Sequence, residues 1–172
     1  MVITDIGSPA GTAVVGLVCG VFMWWRSRSV IPGVVVVGTV AAAALASATL
    51  KAMVARPRPP LGLQLIVETD HSFPSGHVTG TAALLGIGAV CVGAGRSRAV
   101  RAWLSILAIV GTVVVAITRL YLGVHWLTDV TAGAVLAALF VTLGAAVFGA
   151  IDRRPGRHDT TLPDEAPVDA CR

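Results

Sequence analysis

The chain has 172 residues, of which 55% are hydrophobic and only 13% charged, and its mean hydropathy is +0.83. That balance excludes an ordinary soluble domain and predicts one membrane-embedded domain. The formal net charge of +4 does not indicate a nucleic-acid partner, because the arginines fall in short clusters between apolar runs, as in loops on the cytoplasmic side of a membrane.

Residues 1–9 hold one acid, no base and a Gly-Ser-Pro, so they read as a short exposed lead-in without the positive start of a secretory signal. A first apolar run covers about 10–25 and ends at Trp24-Trp25-Arg26, an aromatic and then cationic edge. The second, Val30 to Leu50, has no charge over 21 residues, enough for a spanning helix, and stops at Lys51. Residues 51–74 form a polar interruption in which prolines 57, 59, 60 and 74 prevent a continuous helix, which predicts a structured loop on the membrane surface. Further runs follow at about 78–95, 102–118 and 124–151, the last with Asp129 in its first turns. Glycine, alanine and threonine recur in all five and suit close helix packing in lipid. The expected fold is therefore all-α: a polytopic membrane helix bundle of about five transmembrane helices over residues 1–151, with a disordered cytoplasmic tail over 152–172.

Charge then sets the topology. Five spans place Arg26, Arg28, Arg96, Arg98, Arg101, Arg153, Arg154, Arg157 and Arg172 on one side, and Lys51, Arg56, Arg58 and Arg119 on the other. The positive-inside rule makes the first side cytoplasmic, so the amino terminus and the second group face outward. Cys19, Cys91 and Cys171 have no spacing that suggests a metal site or a disulfide framework.

The outward group belongs to, or adjoins, three polar islands, each at a helix end: Lys51 with Arg58-Pro59, Pro74-Ser75-Gly76-His77, and Thr118-Arg119 with His125 and Asp129. Charged groups at membrane depth are costly enough to mark function. Lys51, Arg58 and Arg119 supply three cations suited to phosphate oxygens, and Ser75 and Gly76 add a hydroxyl and N–H groups at an expected helix N-terminus. His125 and Asp129 are four apart, so on one helix they share a face and the carboxylate orients the ring. His125 can then attack phosphorus while His77 protonates the leaving alkoxide, with charge neutralised by the cations and no metal or other cofactor required.

The three islands resemble the type 2 phosphatidic acid phosphatases, or lipid phosphate phosphatases, whose pattern is Lys, six residues, Arg-Pro; Pro-Ser-Gly-His; and Ser-Arg, five residues, His, three residues, Asp. Lys51, Arg58 and Pro59, then Pro74 to His77, then Arg119, His125 and Asp129 match it in order and spacing over about residues 5–150. Thr118 stands where the family usually has Ser. The resemblance implies a helical membrane fold, of which this chain shows five of the usual six core helices as though lacking the first, and metal-independent hydrolysis of lipid phosphates. An outward site implies a plasma-membrane enzyme acting on an outer-leaflet lipid such as undecaprenyl diphosphate, with phosphatidylglycerol phosphate and phosphatidic acid as alternatives. Two other readings compete: a vanadate-dependent haloperoxidase-like oxidoreductase, and a non-enzymatic membrane transporter or binder of anions or lipids. The sequence is silent on oligomeric state.

Other polar residues have plainer readings. Arg56 also precedes a proline, but its four-residue gap from Lys51 is wrong, and it is expected to meet lipid headgroups. Glu68, Asp70 and His71 read as solvated loop residues, His158 as inert, and Trp24, Trp25, Trp103 and Trp126 as interfacial anchors.

Overall fold

The computed structural model describes residues 7–152. Its helices are α1 (Pro9–Ser27), α2 (Val30–Val54), α3 (Gly76–Gly93), α4 (Arg98–Tyr121) and α5 (Leu127–Asp152), with a short 3-10 turn at Leu61–Leu63 between α2 and α3 and no strand among the described residues. All five are long and apolar enough to cross a membrane. The expected disordered tail lies outside the described residues, except for Asp152, which is still helical.

Serine hydroxyls cap three of these helices. The hydroxyls of Ser8, Ser29 and Ser97 accept from the backbone N–H groups of Gly11 (2.9 Å), Ile31 (3.4 Å) and Val100 (3.4 Å), satisfying donors that a first turn leaves free. Pro9 follows Ser8 at a position where a missing N–H costs nothing. Helix α2 runs four residues past its expected end, because Lys51 occupies its last turn and accepts the Ala55 N–H at 3.1 Å through its carbonyl. The prolines from 57 onward then stop it.

The apolar interior is small. Val36, Val40 and Ala43 of α2 meet Ala83 and Ile87 of α3 and Ala137 of α5, all nearly or fully buried. Lipid supplies no hydrophobic drive between helices, so association depends on close van der Waals packing. A methyl on Gly33 would sit 2.5 Å from the Gly20 carbonyl oxygen, so α1 and α2 touch backbone to backbone. Helix α4 leans on α3 and hardly meets α5. The mid-span side chains of α4, such as Leu107, Ile109 and Val113, point outward, and its only buried residue is Arg119 in the last turn. An apolar exterior around a buried arginine is the reverse of a soluble helix and fits a lipid-facing one.

The alternating course brings the end of α2, the starts of α3 and α5 and the end of α4 to one end of the bundle. Residues 55–75 cap that end. The 3-10 turn docks on the α4–α5 connection, where Leu65 N–H donates to the Leu122 carbonyl at 3.0 Å. Gly123 makes this possible: its φ is +67°, and a side chain there would collide with the Leu63 carbonyl. The far end of the loop is pinned where Ser72 N–H donates to the Arg56 carbonyl at 3.0 Å.

Candidate active site

Three acids lie between residues 10 and 151, Glu68, Asp70 and Asp129, and each meets a cation at the capped end. Lys51 Nζ donates to Asp70 Oδ2 at 2.6 Å and to the His71 carbonyl at 2.8 Å. Arg58 is almost fully buried. Its Nη2 pairs with Asp70 Oδ1 and lies 3.9 Å from Glu68 Oε2, its Nε donates to the Asp70 carbonyl at 2.7 Å, and its Nη1 donates to the Val124 carbonyl at 2.8 Å. Arg119 Nη1 lies 3.4 Å from Glu68 Oε1. The cations of the first and third islands are thus joined through two carboxylates of the α2–α3 loop.

Burial raises the Asp70 carboxyl, but hydrogen bonds from Lys51 and Arg58 outweigh it, and the group is held below the ordinary carboxylate range. The expectation that Glu68 and Asp70 are merely solvated is therefore corrected. The His71 ring is exposed, in keeping with a solvated histidine, although its carbonyl serves Lys51.

The second island joins the third through backbone. Ser75 N–H donates to the Asp129 carbonyl at 3.0 Å, and Ser75 caps α3 without using its hydroxyl. That Oγ is buried and unpartnered, a donor and acceptor held in reserve inside the site. Gly76 and His77 are the first two residues of α3, both half-buried. A methyl on Gly133 would come within 2.9 Å of the Ser75 carbonyl oxygen, so glycine lets α5 approach this helix start.

His125 is placed differently from its expected position. Helix α5 begins at Leu127, so the ring stands in the turn before it and shares no helical face with Asp129. The reason lies in Asp129 itself, whose Oδ2 reaches back to accept the Trp126 N–H at 2.8 Å and fixes the helix start after His125. His125 Nδ1 lies 3.5 Å from that oxygen, at the outer edge of hydrogen-bonding reach, and is buried without a well-formed partner. Nε2 faces Arg58 Nη1, also at 3.5 Å. Burial, then the charge of Arg58, lower the imidazole to about 4 against the opposing pull of Asp129, so the ring is neutral at neutral pH.

Arg56 is the residue that motif spacing misjudged. Its Nη1 lies 2.8 Å from Asp129 Oδ1 and also donates to Thr128 Oγ1. Its guanidinium sits 5.7 Å from the Trp126 ring centroid, and Trp126 Nε1 donates to the Pro57 carbonyl at 3.2 Å. So Arg56 is engaged with Asp129 and Thr128, and Trp126 packs beside it at the same end. A fully buried Asp129 required a cation, and Arg56 was available at the same helix ends; that charge balance was the missed signal.

Two clefts lie elsewhere, toward the opposite end. One of about 670 Å³ runs between α3, α4 and α5 beside Gly93, Arg101 and Phe148, and one of about 490 Å³ runs between α2 and α5 beside Val34 and Leu143. Neither is lined by a residue of the polar network.

The family profile of the PAP2 superfamily matches residues 32–153. A crystal structure of a transmembrane PAP2-type phosphatidylglycerolphosphate phosphatase from Bacillus subtilis superposes with a TM-score of 0.80 at 28% identity, covering 88% of this chain and 75% of that one. An undecaprenyl-diphosphatase from Sulfolobus acidocaldarius is 40% identical over 70 residues, a stretch that spans 41% of this chain but only 30% of that relative. Together with the five long apolar helices, these likenesses make the chain a multi-pass membrane protein.

Proposed function

The chain belongs to the PAP2 superfamily, and from that premise we propose that it is an integral membrane phosphatase releasing the terminal phosphate of a lipid phosphate or diphosphate. A polyprenyl diphosphate stands first among substrates, as the undecaprenyl-diphosphatase relative suggests, and phosphatidylglycerol phosphate second, after the Bacillus subtilis neighbour. One observation carries the reading: a neutral, buried His125 stands between a carboxylate on its Nδ1 side and the Arg58 guanidinium on its Nε2 side. With the Nδ1 proton directed to Asp129, the Nε2 lone pair points toward the cations that would hold phosphate.

In the proposed reaction, Lys51, Arg58 and Arg119 neutralise the phosphoryl oxygens, and Ser75 Oγ with the Gly76 N–H completes the cradle. His125 Nε2 forms a bond to phosphorus as the bond to the leaving oxygen breaks, and His77 gives that oxygen its proton. Water then attacks the phosphohistidine, His77 takes the water's proton, and inorganic phosphate leaves. Three fixed cations supply the charge stabilisation that such a transfer needs. The proposed setting is the plasma membrane with the site on the extracytoplasmic face, following the basic residues at the other end.

The test is a phosphate-release screen of purified protein against prenyl and glycerol lipid phosphates. Free inorganic phosphate from prenyl diphosphates, undiminished by excess EDTA, is the expected result. Binding without release would replace the enzyme by a transporter or lipid-binding protein, and halide bromination after vanadate addition would favour a haloperoxidase.

A further inference from the structure

The cations assigned to phosphate are already occupied. Lys51, Arg58 and Arg119 are met by Asp70 and Glu68, two carboxylates on one short stretch of loop, and Arg58 meets both. From this arrangement, and resting on the phosphatase reading above, we infer that Glu68 and Asp70 are specificity-determining residues: they stand in for the phosphate oxygens on these cations and admit only anions charged enough to displace them.

The argument is one of charge and desolvation. Three cations against two carboxylates leave the cage one net positive charge, with His125 neutral. A terminal phosphate carries about −1.5 to −2 at neutral pH and presents three acceptor oxygens, so it can replace both carboxylates and their hydrogen bonds. A phosphodiester headgroup carries one negative charge and two free oxygens, too few to do so. Ordinary anionic phospholipids greatly outnumber any phosphomonoester in a bilayer, and an open cage would bind them. Selecting against a competitor by making it lose an existing contact is a recognised route to specificity.

Geometry allows the exchange. Asp70 is about half exposed while its partners Lys51 and Arg58 are largely buried, so the acid can swing outward while the cations stay. Glu68 is more enclosed, at 29% exposure. The loop is fixed at Leu65 and Ser72, on either side of both acids, and the Asp70 and His71 carbonyls are held by Arg58 and Lys51, so the exchange is a rotation of the acid side chains about a backbone that stays in place.

The test uses the purified full chain in mixed micelles, with farnesyl diphosphate as substrate, orthovanadate as a phosphate-like inhibitor and dioleoyl phosphatidylglycerol as a diester competitor. In Glu68→Gln/Asp70→Asn the inhibition constant for the diester should fall on the order of tenfold or more, while that for vanadate falls less or holds. Asp70→Glu, which keeps the carboxylate, should retain most of the native resistance to the diester, which separates gating from general damage. A diester constant unmoved in the double variant, or a weakened affinity for vanadate, would overturn the inference and make the acids mere props for the cations. A native protein that vanadate does not inhibit at all would overturn the phosphate cage itself.

Discussion

Both ends of the bundle are basic, and they could hardly be more different. At one end Arg26, Arg28, Arg96, Arg98 and Arg101 are all exposed. At the other, Arg119 is 1% exposed and Arg58 7%, and all four cations, Lys51 and Arg56 included, have carboxylate partners. Exposed arginines keep their water and cost the fold little, so they serve as a topological signal. Buried ones are tolerable only with counter-charges, and in the proposed function they are the ones that handle the anion. The residue type is shared; desolvation separates the two uses.

That contrast can be broken most severely at His125. His125→Ala should lower phosphate release by about a thousandfold or more and abolish an acid-labile phosphoenzyme, since it removes the proposed nucleophile. Retained turnover would mean that the buried end is structural. Next comes Arg119→Gln, expected to reduce kcat/KM by roughly a hundredfold through loss of charge stabilisation. A fall of less than twofold would make this arginine no different from the exposed ones.

Arg56→Ala sharpens the comparison, because Arg56 touches Asp129, the acid proposed to orient His125, and is not among the cations proposed to hold phosphate. We expect about a tenfold loss in kcat with little change in KM, partial rescue by Arg56→Lys, and a shifted acid limb. A change in KM alone would place it in substrate binding. For the native protein, kcat/KM should stay nearly level from pH 7 to 5.5. An imidazole of ordinary pKa 6.5 would be about nine-tenths protonated at pH 5.5, whereas His125, lowered to about 4 by burial and Arg58, keeps its lone pair until lower pH. A tenfold fall by pH 5.5 would show that the cations do not hold the ring neutral. The smallest effect belongs to the exposed end. Arg96→Gln/Arg98→Gln/Arg101→Gln should leave turnover within about twofold while loosening orientation, read as labelling of Cys171 by an impermeant thiol reagent in intact cells.

Much of this was legible in the sequence for a physical reason. Five apolar runs have only one way to satisfy their backbone in lipid, so helix number and approximate bounds follow from run length. The three islands were legible because their residue types are expensive in apolar surroundings and their spacing is fixed. Less legible was anything set by pairing across the chain. Arg56 lies 73 residues from Asp129, and Glu68 lies 51 from Arg119, separations over which no periodicity speaks. Only the balance of charge hinted at it, since so few acids stand among so many apolar residues. His125 was misplaced by one turn because the start of α5 is set by Asp129 reaching back to Trp126, a choice between neighbouring caps that composition does not decide.

The backbone anchors on either side of Glu68 and Asp70, Leu65 on Leu122 and Ser72 on Arg56, carry a kinetic consequence. With both ends fastened and the Asp70 and His71 carbonyls held by Arg58 and Lys51, the proposed vacating of the cage would take only rotation of the two acid side chains, a motion of roughly nanoseconds to microseconds. No helix has to slide or tilt, so opening on this timescale would be far too quick to limit a cycle running at ordinary enzymatic rates.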